Sequence, residues 1–375
     1  MSDLPFIPIS MPMFEGRERE YLNHCIDTGW VSSIGEYVLR FEREFAAYCG
    51  REHGVTLNSG TAALHLALKA LDVGEGDEVV VPAMTFAACA NAVMYLGATP
   101  VFVDSAPGYW GPDAATVAAA ITARTKAVMA VHLYGQPCDI EGIVAVADKV
   151  GIPVVEDAAE AHGASVGERR VGSFGAISCF SFYGNKVITT GEGGVCLTSD
   201  PELRDRMAML RDHGMDKARR YWHLEVGYNY RMTNLQAAVG CAQLERIEDI
   251  LARRTALRRD YDRVMAGLFF SYPQHEPGRH GVNWLYTALL PKGCGAPERD
   301  ALIAFLKTQG IDSRVAFPLL TGMPPYQAFA TPTPHAADLS ARGISLPTHL
   351  GMGTPEVERI GAAVGRWMRA QGLAA

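Results

Sequence analysis

The stretch KAVMAVHLYGQPCDIEGIVAVADKVGIPVVEDAAEAHGA, residues 126–164, decides the fold class. It opens with a short apolar run ending at Tyr134, and Gly135 and Pro137 then punctuate it. From Ile140 to Gly151 the apolar residues recur at helical spacing, and Ile152–Val155 is again a short Val- and Ile-rich run. A short apolar run on either side of one amphipathic helix reads as a strand–helix–strand unit. Because neither run alternates with polar residues, both strands are expected to be buried on two faces, as in a parallel sheet.

The same alternation extends outward, from about residue 55 to 200. HGVTLN (53–58) precedes the periodic TAALHLALKAL, DEVVVP (77–82) precedes TFAACANAVMYLG, and TPVFVD (99–104) precedes PDAATVAAAIT. This order predicts an α/β fold with a mostly parallel sheet and helices on both faces. Residues 201–265 read as helical and charged, and TNLQ…MAGL (233–268) as one long helix. After residue 280 come a strand (NWLYTALL), a helix (ERDALIAFLKTQG), a strand (DSRVAF) and a closing helix (PEVERIGAAVGRWMRAQ). The expected organisation is a large domain over 1–245, including the N-terminal segment. A small α+β domain over 246–375 is joined to it by the long helix.

Composition narrows the function classes. The chain has 375 residues, 48% of them hydrophobic, enough for a large core. The net charge is −7, with 34 Lys and Arg against 41 Asp and Glu. That balance points to neither nucleic acid nor an anionic membrane. MSDLPFIPIS lacks the basic-then-apolar pattern of a signal peptide, and no apolar run is long enough for a bilayer. Eight cysteines stand singly, with no CxxC pair, and read as reduced, buried thiols of a cytoplasmic protein with no metal site.

In open parallel sheets, ligands sit beyond the carboxyl ends of the strands, and four features fall there. Asn58-Ser59-Gly60-Thr61 opens a helix, whose free N–H groups and dipole suit an anion; an ordinary N-cap reads the same way. Glu156-Asp157 ends a strand, and Asp157 is either a helix cap or the partner of a protonated ring nitrogen. Phe86 follows a strand and is either core or a platform for a planar ring. In CFSFYGNKVITTGEGG (179–194), a strand delivers Lys186 between Gly184 and a glycine cluster. Such a lysine is either a surface residue or a nucleophilic amine. TTGEGG lacks the GxxxxGK[ST] order of a nucleotide phosphate loop. Taken together, the four describe a pyridoxal phosphate pocket: phosphate on the helix N-terminus, ring against Phe86, ring nitrogen on Asp157, aldehyde on Lys186.

The chain also resembles the DegT/DnrJ/StrS nucleotide-sugar aminotransferases. The resemblance runs in order through GWVSSIGEYVLRFEREFA, NSGTAALHLAL, VPAMTFAACANAVMYLGATPVFVD, VHLYGQPCDI, EDAAEAHGA, FSFYGNKVITTGEGG, GYNYRMTNLQAA and SLPTH. It implies the aspartate-aminotransferase-like fold (fold type I) and pyridoxal 5'-phosphate as cofactor. On its motifs, Lys186 takes the place of the Schiff-base lysine and Asp157 that of the ring-nitrogen partner. Ser59, Gly60, Thr61, Ala62 and Ser181 take phosphate positions, Phe86 the stacking position, and Glu160 a place near the ring hydroxyl. His162 reads as structural. Asn229 matches a residue that reaches the phosphate from a neighbouring subunit, which implies a homodimer with shared active sites.

Within the family, GNKVITTGEGG and RRYWHLEVGYNYRMTN resemble members that aminate C-4 of GDP-4-keto-6-deoxymannose with L-glutamate as donor and 2-oxoglutarate as co-product. Other nucleotide-linked or natural-product ketosugars stay open as substrates. Candidate substrate contacts are Trp30, Arg219, Tyr221, Arg231 and His349, with Arg279, His280 and Trp284 alongside. Arginine forks beside aromatics suit a diphosphate and a base. A same-fold dehydratase is the enzymatic rival, but related dehydratases carry histidine where Lys186 stands. A non-catalytic binding protein is the other rival, and the intact Lys186 and Asp157 weigh against it.

Overall fold

The computed structural model describes residues 5–268 and 278–373. Strands β1 (His53–Leu57), β2 (Glu78–Pro82), β3 (Thr99–Val103), β4 (Thr125–Val131) and β5 (Val154–Asp157) are followed by a short pair, β6 (Ser165–Val166) and β7 (Arg169–Arg170). Next come β8 (Ile177–Ser181) and β9 (Gly194–Thr198). Seven of these form one sheet in the order β1-β9-β8-β5-β4-β2-β3. β9 runs antiparallel to both its neighbours, and the pairings from β8 through β3 are parallel. The α/β reading holds. β8 leads into the segment that carries Lys186 and β9 returns beside it, with Cys179 opposite Cys196 and Ser181 opposite Gly194.

Helices α1 (Glu18–Thr28), α2 (Glu36–Tyr48), α3 (Gly60–Ala70), α4 (Ala88–Met94), α5 (Ala114–Ala120), α6 (Ile140–Asp148) and α7 (Pro201–Arg211) surround this sheet. β2, β5, β8 and β9 are buried along their whole length, which explains their unbroken apolar sequences. Phe41 and Phe45 of α2, Phe180 and Phe182 form a fully buried aromatic cluster beneath β8.

The long helix expected over 233–268 is two helices, α8 (Asn234–Leu244) and α9 (Ile247–Met265). They separate at Glu245–Arg246, where no Gly or Pro marks the break. The cause is tertiary. α8 is buried against the large core, and Glu245 is held by Tyr21 and Arg40 of that core. α9 instead sends Leu257, Tyr261 and Met265 into a second cluster.

That second cluster surrounds a small antiparallel sheet. It is built from β11 (Tyr286–Leu289), β12 (Arg314–Val315) and β13 (Gly343–Leu346), in the order β11-β13-β12, with α10 (Ala296–Thr308) and α12 (Thr354–Ala370) packed on it. A further two-residue strand, β10 (Arg279–His280), pairs with β6 of the large unit. Strand β13, the centre of the small sheet, has no counterpart among the expected elements. Packing crosses the position of residue 245 at several places. Ile7 packs in the small cluster and bonds to Gly310, while residues from Ala316 to Leu339, including part of α11 (Pro334–Arg342), belong to the large core.

Candidate active site

A cavity of about 420 Å³ lies at the carboxyl ends of the parallel strands. The first turn of α3, the loop after β2, Val131–Tyr134 after β4, Asp157 at the end of β5 and Ser181 at the end of β8 all contribute to it. The small unit closes the far side with Arg314, Val315, Phe317 and Ser345.

Period-two alternation puts Glu156 and Asp157 on opposite faces of β5. Glu156 is fully buried and accepts the backbone N–H groups of Gly172, Phe174 and Gly175 at 2.7–2.8 Å, with His132 Nε2 at 3.2 Å. Burial would raise this carboxyl, but the bond from His132 and those N–H groups hold it below its usual range. It anchors the loop over residues 172–175. Asp157 faces the cavity. Cys89 Sγ donates to its Oδ2 at 3.0 Å and the Ala159 N–H to its Oδ1 at 3.0 Å. Asp157 lines the cavity and forms no ion pair with a cationic side chain among the described residues, so the residues here fit a protonated ring nitrogen beside it.

Lys186 is delivered by a tight turn in which its N–H bonds to Tyr183 O at 2.9 Å. Gly191 at φ +83 lets the chain turn back toward β9. Lys186 Nζ lies 3.4 Å from Glu160 Oε1 and 3.9 Å from the centre of the Trp284 ring. The Trp284 indole N–H donates to Asn185 O at 2.7 Å, so the ring is fixed over the amine. Glu160 Oε2 accepts the Tyr134 N–H at 2.7 Å. Burial pushes Glu160 up to about 7, against the pull of Lys186.

The first turn of α3 forms the remaining wall. Ser59 caps the helix, accepting the Ala62 N–H at 3.1 Å. Gly60 and Thr61, as first-turn residues, have no intrahelical acceptor for their N–H groups. A Cβ on Gly60 would lie 2.6 Å from Ser181 Cβ and 3.0 Å from its hydroxyl. Only glycine lets the helix start approach β8 this closely. Phe86 lines the cavity with 57% of its surface exposed, tilted against Phe317 at 5.8 Å. The donors, the carboxylate and the lysine together fit a phosphorylated, protonated aldehyde ring such as pyridoxal phosphate.

The fold therefore brings Ser59, Gly60, Thr61, Phe86, Asp157, Glu160, Ser181, Lys186 and Trp284 to one cavity, with Ala62 capped just behind. The other candidates lie elsewhere in the chain. Trp30 lines a separate groove of about 660 Å³ with Ser33, Ile34 and Arg211. Arg219 and Tyr221 are exposed on the segment after α7, with Arg219 over Trp222 at 3.9 Å. Arg231 pairs with Asp212 at 2.7 Å and bonds exposed Asn229 at 2.9 Å. His349 is buried, is not among the residues lining the cavity, and its two ring nitrogens have no hydrogen-bond partner among the described residues. Arg279 pairs with Asp139 at 2.9 Å. His162 is packed among Phe45, Phe180 and Phe182, where burial, with Lys186 adding, pushes it down to about 3.

Tyr134, Arg314 and Phe317 went unnoticed in the sequence. Tyr134 has φ +55, rare for a bulky residue, and the Tyr-Gly pair directly after an apolar strand was its one local signal. Arg314 and Phe317 reach the cavity only through the packing of the small unit on the large one.

A lysine, a charge-free-standing aspartate and a helix-start anion cradle at the edge of such a sheet define a fold type I pyridoxal-phosphate enzyme. The chain belongs to the DegT/DnrJ/EryC1/StrS aminotransferase family, which it matches over residues 12–365. It is 47% identical to the GDP-perosamine synthase of Caulobacter vibrioides over 97% of this chain and 99% of that one. To the GDP-perosamine synthase of Escherichia coli O157:H7 it is 42% identical, over 94% and 96% of the two chains. Among solved structures, DesV of S. venezuelae superposes with a TM-score of 0.89 at 35% identity, covering 97% of this chain and 99% of that one. Spr1654 of Streptococcus pneumoniae, in its PLP form, superposes with a TM-score of 0.92 at 29% identity, covering 97% and 99%. The protein is an aminotransferase, and its cofactor is pyridoxal phosphate. Among the described residues, no helix is long and apolar enough to cross a membrane.

Proposed function

We propose that the protein transfers the amino group of L-glutamate to C-4 of GDP-4-keto-6-deoxymannose, giving GDP-perosamine and 2-oxoglutarate, as a cytoplasmic homodimer. The observation that carries the substrate is the near-full-length identity of 47% and 42% to relatives named GDP-perosamine synthase. Such an aminosugar suits a surface glycan such as an O-antigen.

Bound pyridoxal phosphate supplies an aldehyde that takes up an amine and a protonated ring that accepts an electron pair. The chain's own residues do the rest. Asp157 holds the proton on the ring nitrogen, stiffened by the bonds from Cys89 and Ala159. Ser59, Gly60, Thr61 and Ser181 hold the phosphate at the start of α3. Phe86 covers one face of the ring. Lys186 Nζ takes the proton from Cα of glutamate and, in the second half, gives one to C-4 of the sugar. Glu160, poised near neutrality, and the Trp284 ring hold that amine in place while it is free.

The dimer is supported by the residues left outside the cavity. Asn229, Arg219, Tyr221 (75% exposed) and Val226 (85% exposed) sit together on one exposed segment, and Trp30, Ile34 and Leu39 expose apolar surface beside their groove. A second copy that covers this surface can bring Asn229 to the phosphate and the arginines to the diphosphate. Mixing Lys186→Ala with Asn229→Ala subunits is expected to restore activity in hybrid dimers. A fully active monomer in sedimentation would end that part of the proposal.

The substrate is tested by comparing kcat/KM for GDP-4-keto-6-deoxymannose with that for dTDP- and UDP-linked 4-ketosugars, L-glutamate being the donor. A preference for the dTDP or UDP sugar would remove the GDP assignment. Relatives named for UDP- and dTDP-sugars, at 39% and 38% identity, make those the relevant competitors.

A further inference from the structure

We infer that Cys89 is a positioning residue for the reaction: its thiol, itself held by the Thr85 hydroxyl, fixes the plane of the Asp157 carboxylate against the cofactor's ring nitrogen. The inference rests on the reading of Asp157 as the partner of that nitrogen.

The hydrogen bonds form a chain with one direction. Cys89 Sγ lies 3.0 Å from Asp157 Oδ2, and Thr85 Oγ1 lies 3.4 Å from the same sulfur. The contact with Thr85 has no fixed direction by itself. A thiol carries one proton and an ionised carboxylate only accepts, so that proton goes to Asp157. The sulfur is left to accept, and the Thr85 hydroxyl donates to it. Cys89 is fully buried, and Thr85 and Asp157 are nearly so. Burial pushes the thiol well above its ordinary range, and the charge of Asp157 adds to this, so the proton stays on sulfur.

The second reason is how the carboxylate is held. Asp157 Oδ1 accepts the Ala159 N–H at 3.0 Å. The torsion that turns an aspartate carboxylate is broad and roughly two-fold, so one pinned oxygen leaves the group free to turn. The thiol pins the other oxygen. Among the described residues it is the one side-chain donor that Asp157 has. Glu156, next to it, shows the contrast. Three backbone N–H groups and His132 occupy that carboxylate, and it does not line the cavity.

The third reason is the run of the chain. Thr85 to Cys89 is one stretch that turns from the loop after β2 into α4, with the Cys89 N–H on Phe86 O at 3.2 Å. Phe86 lines the cavity, whereas Cys89 is not among its lining residues and reaches Asp157 from behind. A single turn therefore sets both the platform for the ring's face and the support of its nitrogen partner. A buried cysteine that only filled the core would need no oxygen at 3.0 Å.

The test separates donation from packing. Cys89→Ala and the apolar, space-filling Cys89→Val remove the donor, and Cys89→Ser keeps one. Each protein is titrated by equilibrium dialysis with pyridoxal phosphate and with its carbon analogue, in which C–H replaces the ring nitrogen. The ratio of the two Kd values reads the bond to the ring nitrogen alone. Loss of one hydrogen bond on the carboxylate predicts that the preference for the cofactor over the analogue falls roughly three- to tenfold in Cys89→Ala and Cys89→Val. The analogue's own Kd should stay within about twofold of wild type, and Cys89→Ser should keep the wild-type preference within about twofold. Infrared spectra of the cofactor-free protein give a second readout. The difference between wild type and Cys89→Ser isolates the S–H stretch of this one thiol among eight cysteines. It should lie below the frequency of a free thiol and move up when Asp157→Asn weakens the acceptor. A preference unchanged in Cys89→Ala and Cys89→Val, an equal rise in both Kd values, an equal fall in Cys89→Ser, or an S–H band at the free-thiol position overturns the inference. If wild-type protein binds the analogue as tightly as the cofactor, the reading of Asp157 itself falls and takes this inference with it.

Discussion

Replacing Glu160 by glutamine tests the electrostatics of the site in the protein without its cofactor. Burial raises this carboxyl from an ordinary 4.5 to about 7. Between those values the folded chain keeps a proton that the unfolded chain has already released. The stability tied to that proton is therefore fully present below about pH 4.5 and is lost as pH rises through 7. A span of about two and a half pH units at about 1.4 kcal/mol each gives roughly 3 kcal/mol. Glu78, held low by Thr122 and Arg124, and Asp338, held low by Arg342, change stability in the opposite direction with pH. Only the difference between wild type and Glu160→Gln isolates the one group. Urea unfolding of both cofactor-free proteins at about pH 5 and about pH 7.5 provides it. The wild type should lose about 2 kcal/mol more than the variant over that interval, since part of the full span falls outside it. Glutamine keeps an oxygen for the Tyr134 N–H, so the variant should fold. Equal changes in the two proteins would refute the buried, proton-holding account of Glu160.

Three further outcomes are expected. Borohydride reduction of the cofactor-loaded enzyme followed by peptide mapping should place the label on Lys186, and a label on another lysine defeats the assignment. Asp157→Asn should keep most of the cofactor but lose about two orders of magnitude or more in kcat, since a charged bond of about 1.5–3 kcal/mol is removed and it matters most in the transition state; near-wild-type turnover would contradict it. Gly60→Ala would drive a methyl against Ser181 and push the start of α3 off β8, weakening cofactor affinity by at least about tenfold while costing about 1–3 kcal/mol of stability, as overpacking does. Equilibrium dialysis and thermal unfolding read the two effects, and unchanged affinity would show that the close approach does not shape the phosphate site.

The order of the elements and the identities of Lys186 and Asp157 were legible along the chain for physical reasons. Strands buried on both faces must be continuously apolar, a helix start needs a cap such as Ser59, and a turn at positive φ selects Gly191. These are local demands, and each leaves a mark within a few residues. The role of Glu156 was not legible, because only the loop over residues 172–175 shows that it is consumed by backbone N–H groups. The break between α8 and α9 left no Gly or Pro, since it arises from Glu245 being tied to Tyr21 and Arg40 of the large core while α9 leaves for the small one. Arg314, Phe317 and Trp284 share the cavity with Lys186 although more than 90 residues of chain separate them from it, so their placement depends on tertiary packing. Packing between units carries no periodicity of its own. The chemistry of the site was therefore written in short local patterns, whereas its far wall and the environment that lifts Glu160 came into being only when distant segments were pressed together and water was excluded between them.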